Sequence, residues 1–479
     1  MPDPLHDRDL DSLLARVAQA ARGYLAGVDD LPAGGGPTRD QAALTFAGAL
    51  PEQGNGSLAT VSRLLTDGMA AAVNSAGPRF FHFVTGGSTP AALAADWLAS
   101  VLDNNAALWV SSPLGSRLEQ LAIAWLKDLF KLPAEWAGVL TTGATMSNFT
   151  ALAAARQWWG EKHHVNIAEN GMSGLPPIPV FSSGFIHASA RKALSMLGIG
   201  HQSVQVLSAD PAGRLDLAAL ERALVALKGA PAILIATAGE VNAGGFDPIQ
   251  AIAELTHHHH AWLHVDGAFG LFARLSPLTA DLARGVESAD SVIADGHKWL
   301  NVPYDCGFAF VRDGRLLTSV FGMGAPYFPQ ADAERPDFLY LTPEMSRRAR
   351  SLAVWATLAA YGRSGYRALV ERHVELARRL AGQVRNAADF ELLDEPRLNV
   401  VCFRYRPSGM PEPELDDCNR RLGQAIIADG RVYFGTTVYA GRVAFRPAIS
   451  NYRTTEPDVD LILPVARELA GRIQAVPRH

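Results

Sequence analysis

The sequence has few cysteines and no long apolar run. Its three cysteines, Cys306, Cys402 and Cys418, are odd in number and widely spaced. They form neither a disulfide framework nor a metal-binding spacing, which indicates a reducing, cytoplasmic environment. No stretch of about 18 uncharged apolar residues occurs, so no membrane-spanning helix is expected. The N-terminus is polar and acidic, unlike a signal peptide.

A block of basic residues is also missing. Lysine and arginine number 43 against 48 acidic residues, and the two signs are mixed along the chain. Without a basic patch to neutralise phosphates, nucleic-acid binding is not expected. Four consecutive histidines, residues 257–260, have no carboxylate or cysteine spaced around them as a metal site requires. No metal site is predicted.

Hydrophobic residues make up 48% of the 479 positions, which is enough for a large core. From about residue 90, short apolar runs alternate with helical patterns. Runs typical of buried strands begin near residues 138, 179, 203, 232, 261, 291 and 307. Strands separated by helices predict an α/β fold with a largely parallel sheet covered on both faces. In such sheets ligands bind at the carboxyl ends of the strands.

The pattern divides the chain into three parts. Residues 1–84 carry amphipathic helical patterns and are predicted to form an N-terminal helical segment. Residues 85–375 are predicted to form the large α/β domain, and residues 346–387 to form a long helix across its end. Residues 376–479 mix strand-like and helix-like stretches, which predicts a small α+β domain.

The segment Ala294-DGHKWL places Lys298 just after a predicted buried strand, between His297 and Trp299. Lysine is rarely buried without a function. A neutral lysine amine condenses with an aldehyde, which is how pyridoxal phosphate is held in enzymes. A His-Lys-Trp alone is more often a surface strand end, so the functional interpretation depends on the segments that accompany it.

Asp266 ends another predicted buried strand, in Trp262-LHVDGAFG. A carboxylate there can pair with a pyridinium nitrogen and keep it protonated. Ala268, two residues on, points the same way and offers a small surface for a flat ring. The alternative is an aspartate that caps the following helix.

Two turns complete the set. In Gly138-VLTTGATMSN a strand leads through a Gly/Thr turn into a helix, so the N–H groups near Ala144 and Thr145 suit a phosphate, with Asn148 nearby. His187 lies at a strand-to-helix junction, where an imidazole can stack on a cofactor ring. Ordinary helix capping would also explain each turn.

Taken together, the phosphate turn, the histidine, Asp-x-Ala and His-Lys-Trp resemble the group II pyridoxal-phosphate-dependent decarboxylases. This family includes aromatic-L-amino-acid, glutamate, histidine and diaminobutyrate decarboxylases. The motifs stand in family order, with Lys298 32 positions after Asp266, and the match runs from about Pro78 to the last helix. The resemblance implies the aminotransferase-like fold type I, pyridoxal 5'-phosphate as cofactor, and a homodimer with shared active sites clasped by the N-terminal helices.

The resemblance also implies roles for individual residues. Substrate contacts are expected from Phe83 and Thr85, and Trp109 falls in a segment that reaches the neighbouring subunit's site. Arg446 matches a C-terminal family segment only loosely. The implied cofactor contacts are Lys298 as the Schiff-base lysine, Asp266 as the pyridinium partner, His187 and Ala268 on opposite ring faces, Ala144 and Thr145 at the phosphate, and His297 beside the lysine.

Two departures from the family pattern affect the expected chemistry. Glu240 stands in a turn where many relatives have threonines, which leaves one cofactor contact open. Phe338 occupies the position of the loop tyrosine that protonates the carbanion, and Tyr340, two residues on, is the alternative donor. Phenylalanine at that position is typical of members that oxidise amines to aldehydes. Residues 322–341 are rich in Pro, Gly and Ala, and are predicted to form a lid.

The predicted reaction is decarboxylation of a small L-amino acid to the amine and carbon dioxide. Aromatic residues such as Phe83 and Trp109 favour an aromatic or apolar substrate, although they would suit a core or dimer interface equally well. An acidic substrate is the alternative, with Arg79 or Arg117 as its partner. Oxygen-dependent aldehyde formation is a third prediction, and a non-catalytic cofactor-binding protein is the remaining one.

Overall fold

The computed structural model describes residues 9–34, 42, 44–323 and 334–475. Within these ranges no helix is long and apolar enough to cross a membrane. The strands are β1 (Ala137–Thr141), β2 (Val180–Ser182), β3 (Val204–Val206), β4 (Ile233–Thr237), β5 (Trp262–Asp266), β6 (Ser291–Asp295), β7 (Gly307–Val311), β8 (Phe390–Leu392), β9 (Phe403–Tyr405), β10 (Thr436–Tyr439) and β11 (Arg442–Phe445).

Helices cover both faces of the larger sheet and one side of the smaller one. They are α1 (Leu10–Gly27), α2 (Ser57–Arg63), α3 (Met69–Ala71), α4 (Pro90–Leu102), α5 (Pro113–Phe130), α6 (Ala144–Lys162), α7 (Ile167–Asn170), α8 (Ala188–Met196), α9 (Leu217–Ala226), α10 (Ile249–His258), α11 (Gly314–Phe321), α12 (Ser351–Asn386), α13 (Glu412–Asp429), α14 (Glu456–Asp460) and α15 (Ile462–Ala475).

The central sheet has the strand order β1-β7-β6-β5-β4-β2-β3. Strands β2 to β6 pair in parallel, and β7 is antiparallel to both β1 and β6. The prediction of a largely parallel α/β sheet is confirmed. The reversal at β7 follows from the short link after β6, residues 296–306, which contains no crossover helix.

Helix α6 lies against the middle of this sheet and is buried on almost every side. Its residues Ala151 to Ala155 are completely inaccessible to solvent. Small side chains let the helix axis approach strands β5, β6 and β7 closely. This approach brings the first turn of α6 to the carboxyl ends of β5 and β6 and to the amino end of β7.

The small domain is built on an antiparallel sheet of order β10-β11-β9-β8. Helix α12 runs from the large domain into the small one. It is kinked at Gly362, whose backbone departs from helical geometry at φ 59° and ψ −175°. Its core residues up to Val374 pack in the large domain, and those from Leu376 onward pack in the small domain. The predicted boundary at 375/376 therefore falls inside a helix and stays a prediction.

Glu119 and Arg347 form a buried ion pair between α5 and the start of α12. Their atoms Oε1 and Nη2 lie 2.8 Å apart, and both side chains are at most 2% exposed. We expect Glu119→Ala to lower the free energy of unfolding by about 3 kcal/mol, because it leaves a buried guanidinium without its counter-charge. Urea unfolding measures this. The exposed pair of Arg379 and Asp460 provides the control, and Asp460→Ala should cost less than about 1 kcal/mol.

Candidate active site

The carboxyl ends of three neighbouring strands define the site. Thr237 of β4, Asp266 of β5 and Ile293 of β6 lie side by side in register. Lys298 follows β6 by three residues, and its side chain is 17% exposed. Its Nζ atom lies 5.9 Å from the centre of the Phe269 ring. The lysine therefore sits in a largely desolvated position at the sheet edge.

Asp295 was not predicted, and it links the lysine to helix α6. One carboxylate oxygen, Oδ2, lies 3.0 Å from Lys298 Nζ. The other oxygen, Oδ1, accepts the backbone N–H of Ala144 at 2.5 Å. Asp295 ends strand β6 just as Asp266 ends β5, so the repeated strand-end aspartate was the signal that sequence reasoning could have used.

The first turn of α6 is suited to binding an anion. Gly143 occupies the N-cap position and provides no capping side chain. A Cβ atom at Gly143 would lie 2.8 Å from His297 Cε1, so only glycine allows this approach. Ala144 and Thr145 begin the helix, where the N–H groups and the helix dipole favour negative charge. The Asp295 carboxylate on Ala144 demonstrates that this turn accepts an anionic oxygen.

Asp266 is 4% exposed and is held by two N–H donors. The backbone of Ala268 donates to Oδ1 at 3.2 Å, and the Asn148 side-chain amide donates to Oδ2 at 3.1 Å. Ala268 itself also accepts the N–H of Asp295 through its carbonyl. The small alanine thus lies between the ends of β5 and β6, beside the carboxylate.

His187 caps helix α8 and faces the same group of charges. Its Nδ1 accepts the backbone N–H of Ser189 at 3.2 Å, so the ring proton of the neutral form is on Nε2. Burial lowers the pKa of His187. The charged groups close enough to influence that pKa are Asp266, Lys298, Arg446 and Asp295. These long-range contacts place the predicted histidine, aspartate and lysine around one space.

The predicted substrate segment has an unusual backbone. Phe83 and Val84 have φ values of 57° and 60°, in the left-handed region that a β-branched residue rarely adopts. The Phe83 side chain is 60% exposed, and its ring lies 3.6 Å from the ring of His82. Strained backbone of this kind is common at ligand-binding segments.

Thr85 lies beside the lysine loop. Its Oγ1 is 3.3 Å from the hydroxyl of Tyr304, and the Tyr304 ring stacks on His297 with centroids 4.2 Å apart. Gly86, the next residue, packs so closely that a Cβ there would lie 1.7 Å from the Lys298 carbonyl oxygen. Burial lowers the pKa of His297. The substrate segment and the lysine loop therefore form one surface.

Trp109 and Phe338 belong to a second group. The Trp109 backbone N–H donates to Asp337 at 2.6 Å, and the Leu339 N–H donates to the Ala107 carbonyl. Phe338 is 4% exposed and packs in the apolar core next to α6 and α11. Tyr340 ends the same short 3₁₀ turn and is half-buried. Residues 324–333 of the predicted lid lie outside the described residues.

Arg446 joins the small domain to the Glu240 turn. Its guanidinium donates to the Val241 carbonyl at 3.2 Å, and burial lowers its pKa. Glu240 is 3% exposed and accepts the Asn242 N–H at 2.7 Å, and burial raises the Glu240 pKa. A half-buried cation near His187 is a feature that the loose sequence match did not assign.

Two buried histidines make stability depend on pH. Burial lowers the pKa of His264 to about 4 and that of His373 to about 3. Both stay neutral in the folded chain while the unfolded chain takes up protons below about pH 6.5. Their contribution to stability is complete above that pH and is lost as pH falls from about 6.5 toward these values. We expect up to about 1.4 kcal/mol per pH unit for each histidine, measured by urea unfolding.

A conservative variant tests this assignment. His373 Nδ1 accepts the indole N–H of Trp299 at 2.8 Å. The variant His373→Gln keeps a hydrogen-bond acceptor but removes the titrating group, so it should flatten the acid slope. The exposed His258→Ala is the control and should retain the slope of the parent chain. An unchanged slope in His373→Gln contradicts the prediction.

Comparison with known proteins adds to this geometry. The family described as "Pyridoxal-dependent decarboxylase conserved domain" matches residues 52–406. The chain is 30% identical to an aromatic-L-amino-acid decarboxylase of Bacillus atrophaeus over 403 residues, covering 83% of this chain and 82% of the relative. It is 31% identical to an L-2,4-diaminobutyrate decarboxylase of Rhizobium meliloti (strain 1021), covering 88% and 84%.

The solved structures agree with the fold. The crystal structure of Oryza sativa TDC with PLP and tryptamine superposes with a TM-score of 0.90, covering 99% of this chain and 100% of that one at 24% identity. The predicted fold type I architecture is confirmed. Within the described residues, no group of three or more His, Cys, Asp or Glu side chains could hold a metal ion.

The described side chains fit pyridoxal phosphate. Lys298 presents an amine and Asp266 a buried carboxylate. The first turn of α6 presents backbone N–H groups that suit a phosphate, and the one at Ala144 binds the Asp295 carboxylate. The family match covers well over half of the chain, and the resemblance expected from the sequence is confirmed. The chain belongs to the pyridoxal-dependent decarboxylase family and is a pyridoxal-phosphate-dependent carboxy-lyase that acts on an amino acid.

Proposed function

We propose that this enzyme decarboxylates a small L-amino acid with an aromatic or apolar side chain, releasing the amine and carbon dioxide. The observation that carries the proposal is the convergence of Lys298, Asp266 and His187 on one space at the carboxyl ends of β5 and β6. The proposed cofactor-binding set also includes Ala144, Thr145, Ala268 and His297.

Bound pyridoxal phosphate supplies an electron sink for the pair left behind when the bond to the carboxylate breaks. Lys298 holds the cofactor through its amine, and Asp295 Oδ2, 3.0 Å away, can take a proton from Nζ. Asp266 would pair with the ring nitrogen of the cofactor and stabilise its protonated form. Thr145, and Ala144 in place of its bond to Asp295, would hold the phosphate at the start of α6, and His187 and Ala268 would contact the cofactor ring.

The substrate carboxylate is best placed near Arg446. This guanidinium is half-buried, and, in addition to burial, its positive charge lowers the pKa values of both His187 and His82. A cation in this position attracts the α-carboxylate before it is lost as carbon dioxide. The returning proton comes from Tyr340 or from a water held by His187, whose Nε2 carries the ring proton.

The side-chain preference follows from what surrounds Phe83. Its exposed ring lies against the His82 ring at a tilt of 32°, and the apolar surface there favours a substrate with an apolar or aromatic side chain. Neither arginine suggested for a distal carboxylate lies free at the site. Arg79 donates to the Asp29 carbonyl in the N-terminal turn, and Arg117 is exposed on α5, where it pairs with Gln120. These contacts weigh against an acidic substrate.

Oxygen-dependent formation of an aldehyde is the second candidate, and it rests on Phe338. A phenyl ring has no ionisable proton, so at the place of a proton-donating tyrosine it would favour reaction with oxygen over return of a proton. Phe338 packs in the core with Arg347 5.6 Å from its ring centre. The Phe338 ring therefore supplies no proton, and the balance between amine and aldehyde depends on Tyr340.

We propose that the enzyme is a cytoplasmic homodimer in which Trp109 completes the partner's site. Apolar side chains on α1 and α4 remain exposed in the single chain, among them Leu10, Leu14, Trp97 and Val101. A second copy clasped by the N-terminal helices would cover them. The three described cysteines are all free and buried, in keeping with a reducing compartment.

A panel of L-amino acids incubated with the cofactor-loaded enzyme under air tests the proposal. Phenylalanine, tyrosine, tryptophan and leucine are compared with glutamate, aspartate and 2,4-diaminobutyrate, while carbon dioxide, amine, aldehyde and peroxide are measured. We expect kcat/KM to be at least about ten-fold higher for an aromatic or apolar substrate.

Three results separate the candidates. Equal amounts of amine and carbon dioxide without peroxide support simple decarboxylation. Peroxide in step with carbon dioxide supports aldehyde formation instead. A preference for glutamate or aspartate contradicts the proposed substrate class.

A further inference from the structure

A buried row of polar side chains runs behind Asp266. Trp262, His264 and Asp266 alternate along β5, so all three face α6. The indole N–H of Trp262 donates to Ser291 Oγ at 3.0 Å, and Ser291 Oγ lies 2.8 Å from His264 Nδ1. His264 Nε2 lies 2.8 Å from the side-chain oxygen of Asn148. Each of these four side chains is at most 3% exposed.

Asn148 divides this row into two branches. Its amide nitrogen donates to Asp266 Oδ2 at 3.1 Å and to Ser189 Oγ at 3.2 Å. Ser189 Oγ in turn lies 2.7 Å from His187 Nδ1. We call the connected residues Trp262, Ser291, His264, Asn148 and Ser189 the Trp262 chain. It ends on the two groups assigned to the cofactor ring.

Every hydrogen bond in the Trp262 chain has a defined donor and acceptor. An indole N–H can only donate, so Ser291 accepts from Trp262 and gives its own proton to His264 Nδ1. The His264 proton is then on Nε2 and is donated to the Asn148 oxygen. Both amide hydrogens of Asn148 therefore face the acceptors at Asp266 and Ser189. A reversed order would leave buried donors facing each other.

The two ends of the chain agree with this direction. A carboxylate at Asp266 can only accept, which requires the amide nitrogen of Asn148 on that side. The backbone N–H of Ser189 also donates to His187 Nδ1, so that nitrogen is an acceptor on independent grounds. Burial lowers the pKa of His264 to about 4, which is consistent with a neutral ring at this position.

We propose that Trp262 and Asn148 are positioning residues for the cofactor: the Trp262 chain aligns donors on Asp266 and holds His187 with its proton on Nε2. The proposal rests on the roles of Asp266 and His187 proposed above. Trp262 begins β5, four residues from Asp266, so it acts from about 13 Å along the strand. Water does not reach the buried links and cannot replace a lost partner.

Two substitutions test the Trp262 chain, one at Asn148, where it branches, and one at Trp262, where it begins. We expect Asn148→Ala to weaken pyridoxal phosphate binding about ten-fold, because a donor to a buried charge is lost. Trp262→Phe removes the indole N–H together with part of the buried ring. We expect a smaller loss of affinity, about three-fold, with altered ¹⁵N signals of His264 and His187 in the cofactor-free protein. The pKa of the bound cofactor's visible absorbance should shift in both variants.

Matched controls separate positioning from general destabilisation. Trp159 is 1% exposed and donates its indole N–H to the Pro231 carbonyl at 3.1 Å, and Asn419 is buried and bonded to Tyr405 and Leu415. Trp159→Phe and Asn419→Ala should lower thermal stability without changing cofactor affinity, absorbance pKa or histidine signals. His264→Gln, which keeps a donor toward Asn148, should restore most of the affinity that His264→Leu loses.

Equal cofactor affinity and equal histidine signals in each variant and its control overturn the positioning proposal. If Asp266→Asn also leaves affinity and absorbance unchanged, the assignment of Asp266 fails, and the proposal fails with it. A defect in Asp266→Asn together with normal Asn148→Ala overturns the positioning role alone.

Discussion

Replacing Lys298 with alanine is expected to abolish decarboxylation and the covalent retention of pyridoxal phosphate. The amine is the group that holds the cofactor in the proposed site, and no other lysine follows a strand of the central sheet at this edge within the described residues. We expect kcat to fall by at least about 10⁴-fold, because the attachment and orientation of the reacting atoms are lost together. Carbon dioxide release and visible absorbance after gel filtration measure the two effects.

The control for this substitution is Lys127→Ala. Lys127 is also partly buried, and its Nζ donates to the carbonyls of Ala134 and Trp136. Removing it should cost stability but leave cofactor binding and kcat near the parent values. A Lys298→Ala protein that retains coloured cofactor through gel filtration and turns over substrate contradicts the proposed site.

The second large effect is expected from Asp266→Asn. The substitution keeps the shape of the side chain but leaves one acceptor oxygen for the two donors Asn148 and Ala268, and it removes the negative charge. Without that charge the ring nitrogen of the cofactor is no longer held protonated, and the electron pair left by the carboxylate is poorly stabilised. We expect kcat to fall about 10³-fold, or about 4 kcal/mol, while the folded structure is retained. Steady-state kinetics and circular dichroism measure both.

Asp247→Asn is the matched control. Asp247 is 2% exposed and accepts hydrogen bonds from Thr237 and Ser183, and burial raises its pKa to about 7. Because this carboxyl group is already partly neutral near pH 7, the amide should change kcat less than about ten-fold. Equal losses in the two variants would show that burial, rather than the charge at Asp266, accounts for the effect.

The central sheet could be predicted because its strands are continuous apolar runs bounded by helices. All seven predicted runs contain an observed strand. Strands β8 and β10 were not predicted, since three or four residues with mixed burial carry too little periodicity. The antiparallel direction of β7 was also missed, because it depends on the lack of a helix in the link after β6.

Sequence patterns predicted part of the site. The residues that they missed are brought to it only by tertiary contacts. The segments of Lys298, Asp266 and His187 were recognisable because each follows a strand. Asp295 is marked only by its strand-end position and Arg446 only by a loose family match. Their relevance comes from the tertiary contacts of Asp295 with the lysine and of Arg446 with the Glu240 turn. The tertiary structure also placed Phe338 in the core, where a loop position was expected from the sequence.

Helix α12 limits how the enzyme can be divided or opened. Its last 24 residues, after Gly362, contribute to both hydrophobic cores, and a cut at residue 375 would also remove Leu398, Val400 and Ala448 from the core of the large domain. Separately expressed halves are therefore expected to aggregate, even though the sequence suggests a domain border. Tyr366, Leu369 and Val374 hold the first part of this segment in the core of the large domain, so the helix resists a movement of the small domain about Gly362.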